Sequence, residues 1–153
     1  MKKLGLVLIA LLVFTTINAQ KMWKNEVDDF TGKTIKVTNY YNVAKTNVGL
    51  IKASVQRVNN TFYLQLKSTS DIGCAGASDN YVMFIFTDGT KLKLKDKADI
   101  NCKDDSSSLF LLSENSPLFT KAISKIRLRH SEFYTDGETS GTYTLAQILG
   151  VTK

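Results

Sequence analysis

Few residues in this chain are of types that do chemistry, and the two cysteines come first among them. Cys74 sits in the small, polar run DIGCAGASDN and Cys102 in INCKDD. A thiol of this kind serves as a nucleophile, a metal ligand or half of a disulfide. A nucleophilic cysteine needs a neighbour that depresses its pKa, and histidine is the usual one. The single histidine, His130, follows Ile126 and Leu128 on one face of an expected strand, where a partly buried structural role is commoner. Two cysteines without a CxxC spacing and one histidine make a poor zinc site. The expected role of Cys74 and Cys102 is therefore a disulfide.

The acidic run DKADINCKDD holds Asp96, Asp99, Asp104 and Asp105, oxygen ligands of the kind calcium takes. It lacks the D-x-[DN]-x-[DN]-G spacing, and Lys95, Lys97 and Lys103 are interleaved, so a solvated loop is expected. There is no G-x-S-x-G elbow, Walker loop or dinucleotide fingerprint. The chain reads as a non-enzyme needing no cofactor or metal. The alternative is a small secreted hydrolase with its site in the loops at one end of the domain.

The basic residues carry more. Lys91, Lys93 and Lys95 point to one side of one expected strand, and Lys125, Arg127 and Arg129 to one side of another. If those strands lie close in one sheet, six positive charges share a face. Such a face meets an acidic glycan, lipid headgroups or an acidic protein. The competing role of alternating Lys and Arg is to keep an exposed or edge strand soluble. Trp23, Phe30, Tyr40 and Tyr41 are candidates for a sugar-stacking platform, or for core and edge packing.

The elements that position these residues are short β-type segments separated by polar turns. Strands are expected over 33–38, 48–58, 61–67, 81–86, 91–95, 108–112 and 125–130. The run YVMFIF reads as a strand covered on both faces. Helical turns are expected after Ser116-Pro117, with serine as N-cap, and TYTLAQILG reads as a strand or a short helix, with helix favoured after Thr144. Six or seven strands with one or two short helical segments near the C-terminus indicate a mainly β chain, an antiparallel β-sandwich or small barrel. Asn59-Asn60 and TDGT mark hairpins. If the second has a three-residue loop with Gly89 left-handed, opposed residue numbers sum to 176. Cys74 and Cys102 then leave the open end of one hairpin in step.

The first residues, MKKLGLVLIALLVFTTINAQ, read as a secretory leader: Lys2 and Lys3, an apolar Leu4–Phe14, and small Ala19 before the cut. The apolar stretch is shorter than the roughly 20 residues of a membrane span, and no later segment is long and apolar enough to be one. A signal peptide over 1–19 and one domain over 20–153 follow, exported to the periplasm or secreted. Losing Lys2 and Lys3 lowers the formal charge from +6 to +4, which argues solubility rather than a nucleic-acid partner.

EVDDFTGKTIKVTNYY and SPLFTKAISKIRLRH, together with the NAQ leader end, resemble small signal-bearing proteins of Bacteroidetes-type bacteria. The resemblance implies a secreted or periplasmic β-rich domain and carries no catalytic residue over. The functional expectation is a non-catalytic domain that binds a protein, glycan or envelope component. An inhibitor-like domain acting through one strand edge is a further alternative.

Overall fold

The most regular stretches of sequence form the hairpin they promise. The computed structural model describes residues 22–103, 107–131, 133–139 and 144–152. The expected leader over 1–19, and Asp104 and Asp105 of the acidic run, lie outside them. Ten strands follow one another: β1 (Met22–Val27), β2 (Thr34–Thr38), β3 (Tyr41–Thr46), β4 (Leu50–Val58) and β5 (Thr61–Ser68). Then come β6 (Tyr81–Phe86), β7 (Lys91–Lys95), β8 (Ser108–Leu112), β9 (Ile123–Arg129) and β10 (Tyr134–Glu138). A 3-10 turn at Pro117–Phe119 is capped by Ser116, and helix α1 (Leu145–Thr152) is the last described element.

In the β6–β7 hairpin Phe84 faces Leu92 and Val82 faces Leu94. Gly89 takes φ 80, and the Phe86 N–H donates to the Thr90 carbonyl at 2.9 Å. The same register reaches Ala75 opposite Asn101. One step on, Cys74 and Cys102 are joined, with Cα atoms 4.1 Å apart.

All pairings are antiparallel and make one continuous sheet. Its path runs β8-β5-β4-β3-β10-β9-β6-β7, with β2 and β1 branching from the far half of β4. The handover from β2 to β3 is stitched by buried Thr38. Its Oγ1 accepts from Val55 N–H at 3.0 Å, and its carbonyl accepts from Ser54 Oγ at 2.8 Å. The sheet folds over Phe84, Phe86, Phe110, Leu64, Leu66 and Leu128, and Leu145, Ile148 and Leu149 of α1 join that core. Burying side chains of this size contributes about 1.5–3 kcal/mol each. Alternation follows the expectation in β5, where Phe62, Leu64 and Leu66 are buried and Tyr63, Gln65 and Lys67 are not.

The mainly β, antiparallel architecture with two short helical segments is as expected. The sheet does not close into a barrel. Its ends, β7 and β8, meet where Lys97 N–H donates to Leu109 O at 2.7 Å. There the Leu109 N–H turns to the Asp96 side chain at 2.9 Å, and the ladder stops. The run YVMFIF is not covered on both faces: Val82, Phe84 and Phe86 are buried, while Tyr81, Met83 and Ile85 are half-exposed on the outside. Three strands, β1, β3 and β10, have no strand pattern in the sequence.

Candidate functional site

Both β7 and β9 pair with β6, and that settles the geometry of the basic residues. Lys91, Ile85 and Lys125 lie in one row across the outer face, Lys93, Met83 and Arg127 in the next, and Lys95, Tyr81 and Arg129 in the third. Strand β10 extends the rows with Glu138, Asp136 and Tyr134. All six basic residues therefore share one face, flanking a rib of half-buried apolar side chains. Rows repeat about every 7 Å, two residues along a strand.

The two flanks differ in charge balance. On β9, Arg127 grips Asp136 through two bonds of 2.6 Å, Arg129 reaches Asp79 at 3.0 Å, and Lys125 lies 3.6 Å from Glu138. The hydrogen bonds that Arg127 donates to Asp136 hold its guanidinium still more firmly protonated. Arg127 also lies 4.3 Å over the Tyr134 ring. On β7, by contrast, Lys91, Lys93 and Lys95 are exposed and have no acidic partner among the described residues. Lys93 Nζ lies 4.0 Å over the Tyr81 ring.

A groove of about 620 Å³ crosses this face. Met83 and Ile85 line it with Arg127, Asp136 and Glu138, and Lys45 and Asn47 bound one side. Its corner exists because β10 pairs with β3 only at Gly137–Thr46 and Glu138–Lys45. Gly137 permits that approach, since a Cβ there would stand 2.8 Å from Ala44 Cβ. Two carboxylates in a groove raise the question of glycoside chemistry, which needs one of them as a proton donor. Asp136 and Glu138 are each turned to a cation instead.

A second constellation joins the loops at the disulfide end. Asp96 Oδ1 accepts from the N–H groups of Ala98 and Leu109, both at 2.9 Å. Its Oδ2 accepts from Gly76 N–H at 2.9 Å and from the Ser108 hydroxyl. Burial pushes the carboxyl pKa up, but these four bonds together outweigh it and hold it below its ordinary value. Ser108 Oγ also lies 3.0 Å from His130 Nε2, and Nδ1 lies 3.0 Å from Gly73 O. Burial lowers the His130 pKa; the Gly73 bond and the charges of Asp96 and Asp71 offset only part of that. In the neutral ring Nδ1–H donates to Gly73, and Nε2 competes with Asp96 for the one Ser108 proton.

The order of these groups decides what they can do. In a Ser–His–Asp triad the histidine stands between nucleophile and acid. Here serine stands in the middle, and Ser108 and His130 are 0 % and 2 % exposed. The arrangement is a clasp that ties β7 to β8 and to the loop carrying Cys74. Asp96 is thus no solvated-loop residue, contrary to the expectation for DKADINCKDD. The sequence signal missed was its position one residue past a strictly alternating strand. Asp99 is exposed as expected, and among the described residues no group of three or more acidic, histidine or cysteine side chains could hold a metal.

The N-terminal aromatics do not form one platform. Tyr41 packs against the core, Tyr40 lies under Lys67 at 4.6 Å, and Trp23 and Phe30 are exposed on β1 and the turn after it. Among the described residues no helix is long and apolar enough to cross a membrane, and the disulfide is compatible with a non-cytoplasmic location. The chain matches no family model, no curated protein and no solved structure.

Proposed function

We propose that this protein is a non-catalytic, secreted or periplasmic β-domain that binds an acidic partner on the outer face of β7, β6, β9 and β10. One observation carries the reading. The sheet register gathers Lys91, Lys93, Lys95, Lys125, Arg127 and Arg129 around the rib Tyr81–Met83–Ile85, and the three β7 lysines lack an acidic partner among the described residues. A partner with negative charges meets unneutralised ammonium groups on one flank and apolar surface beside them. An acidic protein, an acidic glycan and an envelope lipid headgroup all present that chemistry. The leader-like N-terminus and the disulfide support export. The sealed Asp96–Ser108–His130 clasp and the cation-bound pair Asp136 and Glu138 do not support the hydrolase alternative.

The test is binding of the exported domain to acidic and neutral polysaccharides, anionic vesicles and acidic peptides at two salt concentrations. Saturable, salt-sensitive binding to an acidic probe is expected, reduced by roughly tenfold or more in the K91E/K93E/K95E variant. Equal binding to neutral probes, or binding unmoved by that triple reversal, would sink the reading.

A further inference from the structure

The face just described ends at an open strand edge, and the edge has a readable code. Thr90 and Asp96 turn their backbone groups toward the β6 side, through Phe86 N–H to Thr90 O and Asp96 N–H to Asn80 O. Lys97 turns the other way, toward Leu109 O of β8. Backbone groups alternate along an antiparallel strand. The N–H and C=O groups of Lys91, Lys93 and Lys95 therefore point out of the sheet, toward β8. Beyond the Lys97–Leu109 contact, no strand pairing joins β7 to β8 among the described residues. Leu92 and Leu94 face the core yet are only partly buried, as residues beside an unfilled place in a sheet would be.

We infer that β7 is a strand-addition edge, and that its partner is an extended protein segment alternating acidic and apolar residues. The inference rests on the acidic-partner reading and names that partner's class. A strand laid against β7 satisfies the outward backbone groups of Lys91, Lys93 and Lys95. Its side chains alternate between faces at the same 7 Å repeat as the lysines. Residues on the outer face stand directly beside Lys91, Lys93 and Lys95, where opposite charges stabilise the pair. Residues on the inner face land beside Leu92 and Leu94. A polysaccharide has no backbone N–H and C=O ladder to match this edge. A second copy of β7 is excluded as the partner, because it would set lysine against lysine.

The probe is a fluorescent peptide of alternating glutamate and valine, about seven residues long to cover the five of β7. Two controls accompany it: a peptide of the same composition with all glutamates first, and an acidic polysaccharide. Anisotropy titration of the disulfide-bonded domain is expected to favour the alternating peptide. Its addition should protect the Lys91, Lys93 and Lys95 amides from hydrogen exchange. Lys93→Pro removes one outward N–H without touching the β6 pairing, and Lys93→Gln removes only the charge. The proline variant should bind about fivefold more weakly than the glutamine variant, the worth of one net backbone hydrogen bond. Equal binding of both peptides with unprotected lysine amides overturns strand addition, and leaves the basic face standing if the polysaccharide also binds. Failure of all three probes to bind overturns both. Should Lys93→Pro not fold, amide protection in the wild-type domain decides alone.

Discussion

Replacing Asp96 by asparagine keeps the shape of the clasp and removes half of its bonding capacity. The carboxylate takes four donors: the N–H groups of Gly76, Ala98 and Leu109 and the hydroxyl of Ser108. Asparagine offers one oxygen, which accepts from Ala98 and Leu109, and an NH₂ group that faces Gly76 N–H donor to donor, while Ser108 turns its proton to His130 Nε2 and accepts from the NH₂. Each donor left unpaired costs about 1–3 kcal/mol. Asp96 is half-exposed, so water recovers part of this and the low end applies. The expected loss is about 1–2 kcal/mol in chemical denaturation of D96N, read with the disulfide intact.

A pH series separates charge from shape. The folded Asp96 carboxyl titrates below its ordinary 3.8, so its ionised form stabilises the fold fully above that value. The stabilisation is lost as pH falls through the folded pKa. D96N lacks the group, so the gap between wild type and variant should be widest near neutrality and shrink in acid. A D96N protein within about 0.5 kcal/mol of wild type at pH 7, the range of an ordinary surface substitution, would refute the clasp. So would a gap that stays constant with pH.

Two further substitutions probe the same end of the molecule. The disulfide closes a 28-residue separation, for which chain entropy gives about 3.5 kcal/mol; C74S/C102S should lose about that much in equilibrium denaturation, and a loss below about 1 kcal/mol would show the loops are held by other contacts. Gly76 has φ +78, and a Cβ there would stand 2.4 Å from Asp99 O; G76A should cost about 2 kcal/mol or more, measurable as a lowered Tm, and a neutral substitution would contradict the close approach of the two loops.

How legible the molecule is in its sequence depends on what each stretch has to satisfy. Strands β6 and β7 carry period-two patterns bounded by a strong turn signal, and both match their expected ends. Strand β10, YTDGE, reads as a turn because Asp-Gly is a hairpin signal. Its glycine is there for close approach to Ala44, a tertiary cause with no local trace. Strand β3 is hidden by a register shift between Asn42 and Ala44, which breaks the alternation that would reveal it. Strand β1 lies at the sheet edge with one side exposed, so MWKNEV needs little apolar pattern. For the candidate site, the two lysine and arginine runs were visible as alternation. That β6 stands between them, and that acids answer β9 and not β7, depends on long-range pairing. The Asp96–Ser108 and Ser108–His130 contacts link residues 12 and 22 positions apart and leave no signature in spacing.

The hairpin that carries both sulfurs bears on the order in which the chain acquires its shape. Its contacts are local, so it closes at low entropic cost compared with pairings such as β2 with β4 or β10 with β3. With two cysteines in the chain, oxidation has one intramolecular product and no mispaired competitor. An oxidant arriving early in folding therefore meets Cys74 and Cys102 already brought together by Thr87–Thr90 and locks that segment as a preformed unit. The remaining strands then assemble on a segment that cannot reopen.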